Sequence, residues 1–453
     1  MRRTAVATLL LVIAGCTAEQ PASPAPDGPG AVESPPPESS RQPLVLVTHL
    51  TVPPVRMSLA AARKVLAGSG EWRVVAAPGV PATGAVRVRS TRAVLREVER
   101  DPGTLGVLPA TGVGPTVRAV VVAGFDPIRD PAFYPLTVPG PVAPRPRTLG
   151  LVGDIMLSRG VQDPAGALAP LTPLLRGYDV TVGNLESTLS DDGAPQQGGD
   201  SFAARPSVIP LLESAGFDAL SLANNHTGDY QDAALLETVR RLQGSSIRPF
   251  GAGADLAAAG RAAVVRVGTT SFGFVGFNAI GETPMATREA PGALSVRMPP
   301  RTGPLNRDDL AQVARLVQRL DHRVDVVVVM PHWGTQYTHR PEPIQRQVAM
   351  RLVSAGADLV VGGHPHWVQG MDRVRRAVVV HSLGNFVFDM DFMTETQQGV
   401  VLEATFWGAT LKAIALVPYR MDGSFAPHLV DGAEATAILS DIWRTSTGPF
   451  RAR

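Results

Sequence analysis

The chain has 453 residues, a length that favours two domains with appended segments over one ordinary domain. Its hydrophobic fraction of 44% is that of a globular protein, and a formal net charge of +2 at pH 7 gives no reason to expect a nucleic-acid-binding surface. With one cysteine, Cys16, the chain cannot form an intrachain disulfide or a zinc site built from several cysteines.

The N-terminus looks like a bacterial lipoprotein signal. Arg2 and Arg3 precede an apolar stretch, 5–14, that is too short to span a membrane as a mature helix. The stretch ends in Ile13-Ala14-Gly15-Cys16, which is similar to a lipobox, where the cysteine is lipidated and becomes the mature N-terminus. The alternative is an ordinary secretory signal that happens to contain a cysteine. We predict a signal peptide over 1–16, lipidation of Cys16, and an extracytoplasmic protein anchored to the cell membrane.

The next part of the chain predicts a tether and then a small α/β domain. Residues 17–42 are rich in Pro, Ser, Gly and Glu, which is typical of a disordered segment. From 43 to 137, short apolar runs alternate with helical patterns, and each helix is opened by a serine cap. The predicted strands are 44–48, 73–76, 104–109 and 118–123, and the predicted helices are 58–66 and 90–100.

Proline-rich residues 138–147 predict a linker to a second domain over 148–430, which a C-terminal extension over 431–453 follows. In the second domain, buried strands run repeatedly into polar loops, and a helix usually follows. This pattern indicates an α/β fold. The predicted strands are 149–152, 180–182, 218–221, 324–330, 358–361 and 377–381, with a hairpin of 261–267 and 271–277 and helices at 309–320 and 343–355.

Almost every strand of this domain ends in a loop that contains a candidate metal ligand. Because open α/β sheets place ligands at the carboxyl ends of their strands, residues far apart in sequence can converge at one edge. The loops are Gly153-Asp154-Ile155-Met156, Gly183-Asn184-Leu185-Glu186-Ser187, Ala223-Asn224-Asn225-His226 with Asp229 beyond it, Pro331-His332-Trp333-Gly334, Gly362-Gly363-His364-Pro365-His366, and His381-Ser382-Leu383-Gly384-Asn385-Phe386 with Asp389 beyond it.

These residue types favour a divalent metal ion such as Mn, Zn or Fe, since carboxylate, amide oxygen and imidazole suit those ions better than a thiolate or all-oxygen site would. His364 and His366 cannot share a helix face, but a tight loop around Pro365 can aim both into one cavity. His226, beside Asn225, is placed to protonate a leaving oxygen while the metals activate water.

Each residue also has a structural interpretation. Taken alone, Asp154 is more readily a helix cap, Asn225 a turn residue and His332 a surface or packed histidine. The co-occurrence of these residues in successive strand-terminal loops favours one shared site over a purely structural origin.

In this order, the motifs resemble the CapA (poly-γ-glutamate capsule synthesis) family, a branch of the calcineurin-like metallophosphoesterase superfamily. Each motif alone is weak, and the ordered set is specific. The resemblance implies a metallophosphatase-like four-layer αββα sandwich, preceded here by the small α/β domain, with a metal centre at one end. It is carried by Gly153-Asp154-Ile155-Met156-Leu157, Asn184-Leu185-Glu186, Ala223-Asn224-Asn225-His226, His332-Trp333-Gly334, Gly363-His364-Pro365-His366 and Ser382-Leu383-Gly384-Asn385-Phe386.

The resemblance also implies site roles, with His226 as the acid that assists the leaving group. Either Glu186 or Asn184 falls where the superfamily has its metal-bridging aspartate. We predict that Asn184, Ser382 and Asn385 contact substrate, while the apolar flanks of the 382–385 loop keep a structural role open. The predicted metal ligands are Asp154, Glu186, Asn225, His332, His364 and His366.

Two departures from the superfamily pattern distinguish this chain. Met156 stands where the superfamily has the histidine of its first Asp-x-His motif, and the Asn184-Leu185-Glu186 element replaces the bridging aspartate. Both departures are typical of the CapA branch. They support that family and weigh against a standard two-metal phosphoesterase site.

Three functions are compatible with these residues. The first, implied by the resemblance, is the synthesis or export of an anionic surface polymer such as poly-γ-glutamate, with membrane-bound capsule synthesis proteins as partners. The second is an extracytoplasmic metal-dependent phosphoesterase that acts on a phosphorylated substrate. The third is a non-catalytic module that binds polymer or partner proteins. A polymer synthase is disfavoured, since the sequence contains no Gly-rich nucleotide-binding loop.

Overall fold

A computed structural model describes residues 40–452. The predicted signal peptide, the lipidation site Cys16 and residues 17–39 of the predicted tether lie outside the described residues.

The first part of the described chain forms a sheet that carries two helices. Its elements are β1 (Arg41–His49), β2 (Arg56–Met57), α1 (Leu59–Leu66), β3 (Arg73–Ala76), β4 (Val86–Arg87), α2 (Thr91–Arg100), β5 (Thr104–Pro109), β6 (Val117–Ala119), β7 (Val121–Val122) and β8 (Thr137–Pro139). The strand order is β4-β3-β5-β1-β6, with β8 also paired to β1. Both predicted serine caps are confirmed, because Ser58 Oγ and Ser90 Oγ each accept a backbone hydrogen bond from the third residue beyond.

The predicted strand 118–123 is divided into two short strands. β6 pairs antiparallel with β1, whereas β7 pairs in parallel with β2, so the chain leaves the sheet after Val120, whose N–H still donates to the carbonyl of Leu46. A continuous apolar run does not reveal such a change of partner.

Two larger sheets follow. The elements up to the first helix of the second sheet are β9 (Arg147–Ile155), α3 (Pro164–Leu168), α4 (Thr172–Leu175), β10 (Val180–Leu185), β11 (Thr188–Leu189), β12 (Ala203–Ala204), α5 (Ile209–Ala215), β13 (Ala219–Ser221), α6 (Gln231–Gln243), β14 (Arg248–Phe250), β15 (Ala252–Gly253), α7 (Leu256–Ala259), β16 (Ala263–Val267), β17 (Thr270–Asn278), β18 (Gly292–Ala293) and α8 (Arg307–Asp321). The remaining elements are β19 (Val326–His332), α9 (Pro343–Ser354), β20 (Leu359–Val361), β21 (Met371–Val374), β22 (Ala377–Val380), β23 (Asn385–Val387), β24 (Gln398–Trp407), β25 (Thr410–Met421), β26 (Pro427–Leu429) and α10 (Gly432–Thr445).

One of these sheets has the order β14-β13-β10-β9-β24-β25-β26, with β23 also paired to β9, and the other has the order β16-β17-β19-β20-β22-β21. The predicted hairpin is confirmed as the antiparallel pair of β16 and β17. The strands of β9, β10, β13 and β14 run parallel, as do β17, β19, β20 and β22, so each sheet collects several carboxyl ends at one edge.

The alternation of side chains along β19 shows how the layers form. Val326 and Val328 lie in the core between the two sheets, whereas Val327 and Val329 pack against the outer helices α8 and α9. The other sheet has its own outer core, which includes Leu212 of α5 and other residues of α3–α6. The predicted four-layer αββα sandwich is therefore confirmed.

The long hairpin of β24 and β25 was not among the predicted strands. β24 pairs antiparallel with β9, which places β9 inside the sheet between β10 and β24. β19 also extends to His332, two residues beyond its predicted end, and pairs His332 with Asn278.

The β24–β25 hairpin also contacts the first sheet region. Trp407 Nε1 donates to the carbonyl of Ile128 at 2.9 Å, and Lys412 Nζ donates to that of Thr111 at 3.0 Å. In the C-terminal extension, α10 buries Ile438 and its neighbours in the core between the sheets. Within residues 40–452, no helix combines the length and the apolar content needed to cross a bilayer.

Candidate metal centre

The predicted site residues lie where parallel strands end. Asp154 is the penultimate residue of β9, Glu186 follows β10, and His332 ends β19. The loop after β13 carries Asn225 and His226, and the loop after β20 carries His364 and His366. All of these side chains are buried.

Two sets of three ligands share one carboxylate. The ligand atoms of Glu186, His332 and His364 lie within 4.8 Å of one another, and so do those of Asp154, Glu186 and His366. Glu186 is therefore common to both sets, as expected of one of the two residues, Glu186 and Asn184, that the sequence left as alternatives for a bridging position. A shared carboxylate between two ligand sets is suited to two neighbouring ions.

Asn184 lies among these ligands. Its Nδ2 donates to Asp154 Oδ1 at 2.9 Å and lies 3.3 Å from both Glu186 Oε2 and His332 Nδ1. On the other side of the imidazole, His332 Nε2 lies 2.8 Å from Asn225 Oδ1. The two asparagines thus hold His332 from both ring nitrogens, which sets its orientation.

Two buried atoms of the site have no hydrogen-bond partner among the described residues. They are Glu186 Oε1 and His364 Nδ1, which belong to the same ligand set. A buried polar atom without a partner costs about 1–3 kcal/mol. A bound cation would satisfy an anionic oxygen and an imidazole lone pair together, so the residues present fit a divalent metal ion.

Burial shifts the pKa of each ligand toward its neutral form. It raises the pKa of Asp154 to about 6, and burial together with the nearby charge of Asp154 raises the pKa of Glu186 well above its usual value. Burial lowers the pKa of His366 to about 4 and those of His332 and His364 well below the usual range. At neutral pH each imidazole is therefore uncharged, and one ring nitrogen of each carries a lone pair that a metal ion can take.

The loop after β20 reaches the site through strained backbone. His364 and His366 have φ values of 92° and 59°, in the left-handed region that costs a residue with a side chain about 1–3 kcal/mol. A Cβ on Gly363 would lie 2.5 Å from Asp154 Oδ1, so only glycine allows this close approach. His364 N–H then donates to Asp154 Oδ2 at 3.1 Å, which joins the loop to β9.

His226 is held beside the ligands by contacts with Asp229 and Phe202. Its Nδ1 lies 2.8 Å from Asp229 Oδ2, and its ring stacks on Phe202 with 3.9 Å between the centroids. Its Nε2 lies 3.9 Å from Glu186 Oε1. An ionised carboxylate only accepts hydrogen bonds, so Nδ1 carries the donated proton and Nε2 is left facing the ligands.

The sequence did not assign roles to Asn224 or Asp229. Asn224 Nδ2 donates to Asn184 Oδ1 at 3.0 Å, while its Oδ1 accepts from the His226 backbone N–H at 3.0 Å. Asp229 accepts from both His226 and the Phe202 N–H. The carboxylate three residues after His226 was the available signal for Asp229, and the doubled Asn224-Asn225 was the signal for Asn224.

Tyr337 is a further residue that no sequence signal indicated. Its ring lies 6.1 Å from that of His366 with an interplanar angle of 28°, and 5.6 Å from the ring of the exposed Phe392. The half-buried tyrosine therefore connects the ligands to the surface.

The 382–385 loop has both ends tied to the protein. Ser382 is fully buried, and its Oγ accepts from the Gly384 N–H at 3.2 Å. Asn385 Oδ1 lies 2.8 Å from His366 Nδ1, and its Nδ2 donates to the carbonyl of Thr396 at 3.0 Å. These contacts favour the structural alternative for Ser382 and a positioning role for Asn385.

A family model for the bacterial capsule synthesis protein PGA_cap matches residues 148–390, which is more than half of the chain. The chain belongs to this family. The resemblance to CapA proteins that the motifs indicated is thereby confirmed, and the match begins within β9, which carries Asp154.

Two curated relatives are CapA proteins. The chain is 31% identical over 268 residues to the capsule biosynthesis protein CapA of Bacillus anthracis, covering 56% of this chain and 63% of that protein. It is 28% identical over 262 residues to the PGA biosynthesis protein CapA of Bacillus subtilis (strain 168), covering 56% of this chain and 66% of that protein. The chain thus spans just under two thirds of the length of these relatives.

Solved structures with a similar fold are more distant. A phosphatase from Mycoplasma pneumoniae is 12% identical with a TM-score of 0.39, covering 61% of this chain and 94% of that one. A 5'-nucleotidase from Candida albicans is 12% identical with a TM-score of 0.36, covering 64% of this chain and 56% of that one.

Two residues near the family's motifs lie outside the ligand sets. Met156 is fully buried in the core between the β9-containing sheet and its outer helices, and its Sδ accepts from Ser158 Oγ at 2.9 Å. At position 156, where the superfamily has a histidine, this chain therefore has a side chain of the hydrophobic core.

His381 also lies outside the ligand sets. Its Nε2 lies 2.8 Å from Asp372 Oδ2, and its ring stacks on Trp333 with 5.7 Å between the centroids.

Proposed function

We propose that this protein takes part in the synthesis or export of an anionic capsular polymer such as poly-γ-glutamate, through a metal-dependent hydrolase-like site. The family match supports the capsule role. The observation that carries the chemistry is the carboxylate of Glu186, which is common to two buried ligand sets and lies 3.9 Å from His226 Nε2. The hydrolase could act on the polymer, on its linkage or on a phosphorylated intermediate.

The residues that would hold the ions are Asp154, Glu186, His332, His364 and His366, with Asn225 as a further oxygen donor beside His332. When bound, divalent ions supply Lewis-acid polarisation and make water a nucleophile at neutral pH. This chain contributes a dry pocket, because each of these ligands is buried, and imidazoles whose pKa is lowered by burial, so that they are neutral at neutral pH.

His226 is the proton donor to the leaving oxygen. Asp229 accepts from Nδ1 and stabilises the imidazolium, Phe202 holds the plane of the ring, and Nε2 presents its proton beside Glu186. Because Asp229 acts through the imidazole of His226, it is a positioning residue.

A deletion strain that expresses site variants tests the capsule role. His226→Ala and His364→Ala should both reduce surface polymer to the level of the deletion strain, while His428→Ala should restore it fully. His428 is exposed and pairs with Asp422 outside the site, which makes it a matched control. Normal polymer in both site variants would overturn the catalytic proposal and would favour a polymer- or partner-binding module.

A phosphoesterase unrelated to capsule is the second candidate, favoured by the arrangement of a histidine acid beside two ligand sets. Purified protein loaded with Mn²⁺ or Zn²⁺ should then cleave p-nitrophenyl phosphate or bis-p-nitrophenyl phosphate, and His226→Ala should abolish that cleavage. Normal capsule in the deletion strain together with this activity would establish the second candidate over the first.

We also propose that Cys16 is lipidated and anchors the protein outside the cytoplasm. Metabolic labelling with palmitate should mark the wild-type protein in the membrane fraction and leave Cys16→Ala unlabelled. Equal labelling of both would contradict the anchor.

A further inference from the structure

A groove on the outer side of the sheet that contains β16, β17 and β19 combines arginines with aliphatic side chains. It has a volume of about 690 Å³ and lies among α7, α8 and β16. Its partly buried aliphatic residues belong to the edge of the core between that sheet and its helices. The residues that determine its chemistry are Leu256, Val264 and Leu316, which are aliphatic, and Arg261, Arg288, Arg319 and Arg323, which are exposed.

The guanidinium groups of these arginines have no ion-pair or hydrogen-bond partner within the described part of the chain. The groove has no acidic lining residue, and none of the four guanidinium groups forms an ion pair or a hydrogen bond with another described residue. By contrast, Arg297 is paired with Asp309 near the start of α8. Four unpaired guanidinium groups around one groove produce a positive potential that attracts anions.

The spacing along α8 interleaves charge and apolar surface. Gln312, Leu316 and Arg319 lie on one face of the helix, since they follow one another at intervals of four and three residues, and Arg323 lies two residues beyond the end of the helix. Leu316 thus lies between Gln312 and Arg319 on the helix face, and Arg323 adds a further guanidinium group beyond the helix end. A ligand that matches this groove carries several anionic groups joined by apolar segments.

Arginine can bind a carboxylate or a phosphate group through two parallel hydrogen bonds. The lining contains no aromatic side chain on which a nucleic-acid base could stack. The ligand chemistry is therefore a flexible polycarboxylate rather than a single-stranded nucleic acid.

We propose that this groove binds a segment of a poly-γ-glutamate chain, with its carboxylates on the four arginines and its methylene groups on Leu256, Val264 and Leu316. This inference rests on the proposed function, because it names the polymer that the same protein handles. The groove is separate from the metal centre: Arg323 lies before β19, His332 ends that strand, and its seven residues span about 20 Å. The groove holds the polymer at a distance from the ligands.

Fluorescence anisotropy with labelled poly-γ-glutamate and the full-length protein tests this binding. The double variant Arg319→Gln/Arg323→Gln should bind at least about tenfold more weakly than wild type, because it loses two charge-assisted contacts with the polymer. Leu316→Gln should also weaken binding. Arg315→Gln is the matched control, since Arg315 is exposed on the same helix and does not line the groove. Wild-type binding should weaken with added salt more than that of the double variant.

Three results would overturn the proposal. They are no binding by the wild type, equal binding by the double variant and Arg315→Gln, and tighter binding of polyphosphate than of poly-γ-glutamate at the same charge concentration. The last result would assign the groove to phosphate polymers.

The same variants separate this inference from the proposed function. If the groove is correct and the capsule role is wrong, polymer binds the groove in vitro while the deletion strain has a normal capsule. If the capsule role is correct and the groove is wrong, polymer production depends on His226 while the double variant binds polymer normally.

Discussion

Oδ1 of Asn385 lies 2.8 Å from Nδ1 of His366, and Asn385 is paired with Asp154 across β23 and β9. The asparagine is fully buried, and its backbone carbonyl also accepts from Tyr419 Oη at 2.8 Å. Asn385, on the strand next to β9, therefore orients the candidate ligand His366 and pairs with the candidate ligand Asp154.

Asn385→Ala should lower metal affinity by roughly 10–100-fold, the usual effect of losing a partner that orients a ligating histidine. Competition with a chromogenic chelator measures the change. Asn385→Asp retains an acceptor for His366 and should keep more of the affinity. Unchanged affinity in the alanine variant would show that Asn385 does not position His366.

Metal binding should weaken as the pH falls through about 6. Burial raises the pKa of Asp154 to about 6 and raises that of Glu186 well above its usual value, so protons compete with the cation for both carboxylates. Affinity should fall about tenfold per pH unit for each proton displaced. Isothermal titration between pH 5 and 8 measures this slope, and Asp154→Asn should make it shallower. A slope of zero in the wild type would contradict the prediction.

Asp229→Asn should reduce hydrolysis by roughly 10²–10⁴-fold, because the amide cannot hold the imidazolium of His226 as a carboxylate does. Metal content, measured by elemental analysis, should match the wild type, since Asp229 belongs to neither ligand set. Loss of metal together with activity would instead give Asp229 a structural role in the centre.

Tyr337→Gly should be more stable than Tyr337→Ala by about 0.5–1 kcal/mol. Tyr337 has a φ of 58°, where a residue with a Cβ is strained and glycine is not, and glycine's greater freedom when unfolded offsets part of this relief. Urea unfolding of the two variants gives the difference. If the alanine variant is the more stable, the backbone strain at this position is absent.

The stability of the protein should increase with pH between about 8 and 10.5 through Lys412. Burial lowers the pKa of Lys412 to about 8 from 10.5, so in this range the unfolded chain binds more protons than the folded one. Under that condition, the free energy of unfolding rises as the pH rises. Urea unfolding at pH 7.5 and 9.5 should show a larger increase for the wild type than for Lys412→Met. Equal increases would mean that Lys412 titrates normally.

Local patterns in the sequence were sufficient to predict many of the strands and helices and the types of side chain that could bind a metal ion. Runs of valine predicted the strand cores, serine spacing predicted both caps of the first helices, and the polar residues after the strands predicted a metal centre. The missed hairpin of β24 and β25 shows the limit, because its place beside β9 depends on pairing between strands far apart in the chain.

The choice between Asn184 and Glu186 was not a local one. Asn184 is the penultimate residue of β10 and Glu186 directly follows the strand, so both side chains reach the site from this end of β10. The pairing of β10 with β9 shifts register between Val182 and Asn184, shortly before Glu186. Glu186 then belongs to both ligand sets.

By itself, the amino-acid sequence determined many of the strand positions and the supply of carboxylate, amide and imidazole groups, because these depend on residues close together in the chain, and the order of its motifs indicated the family. Only the tertiary structure decided that His332, His364 and His366 share Glu186 while His381 pairs with Asp372. The physical reason is that convergence depends on the order in which distant strands pair, and this order is set by packing across the whole sandwich.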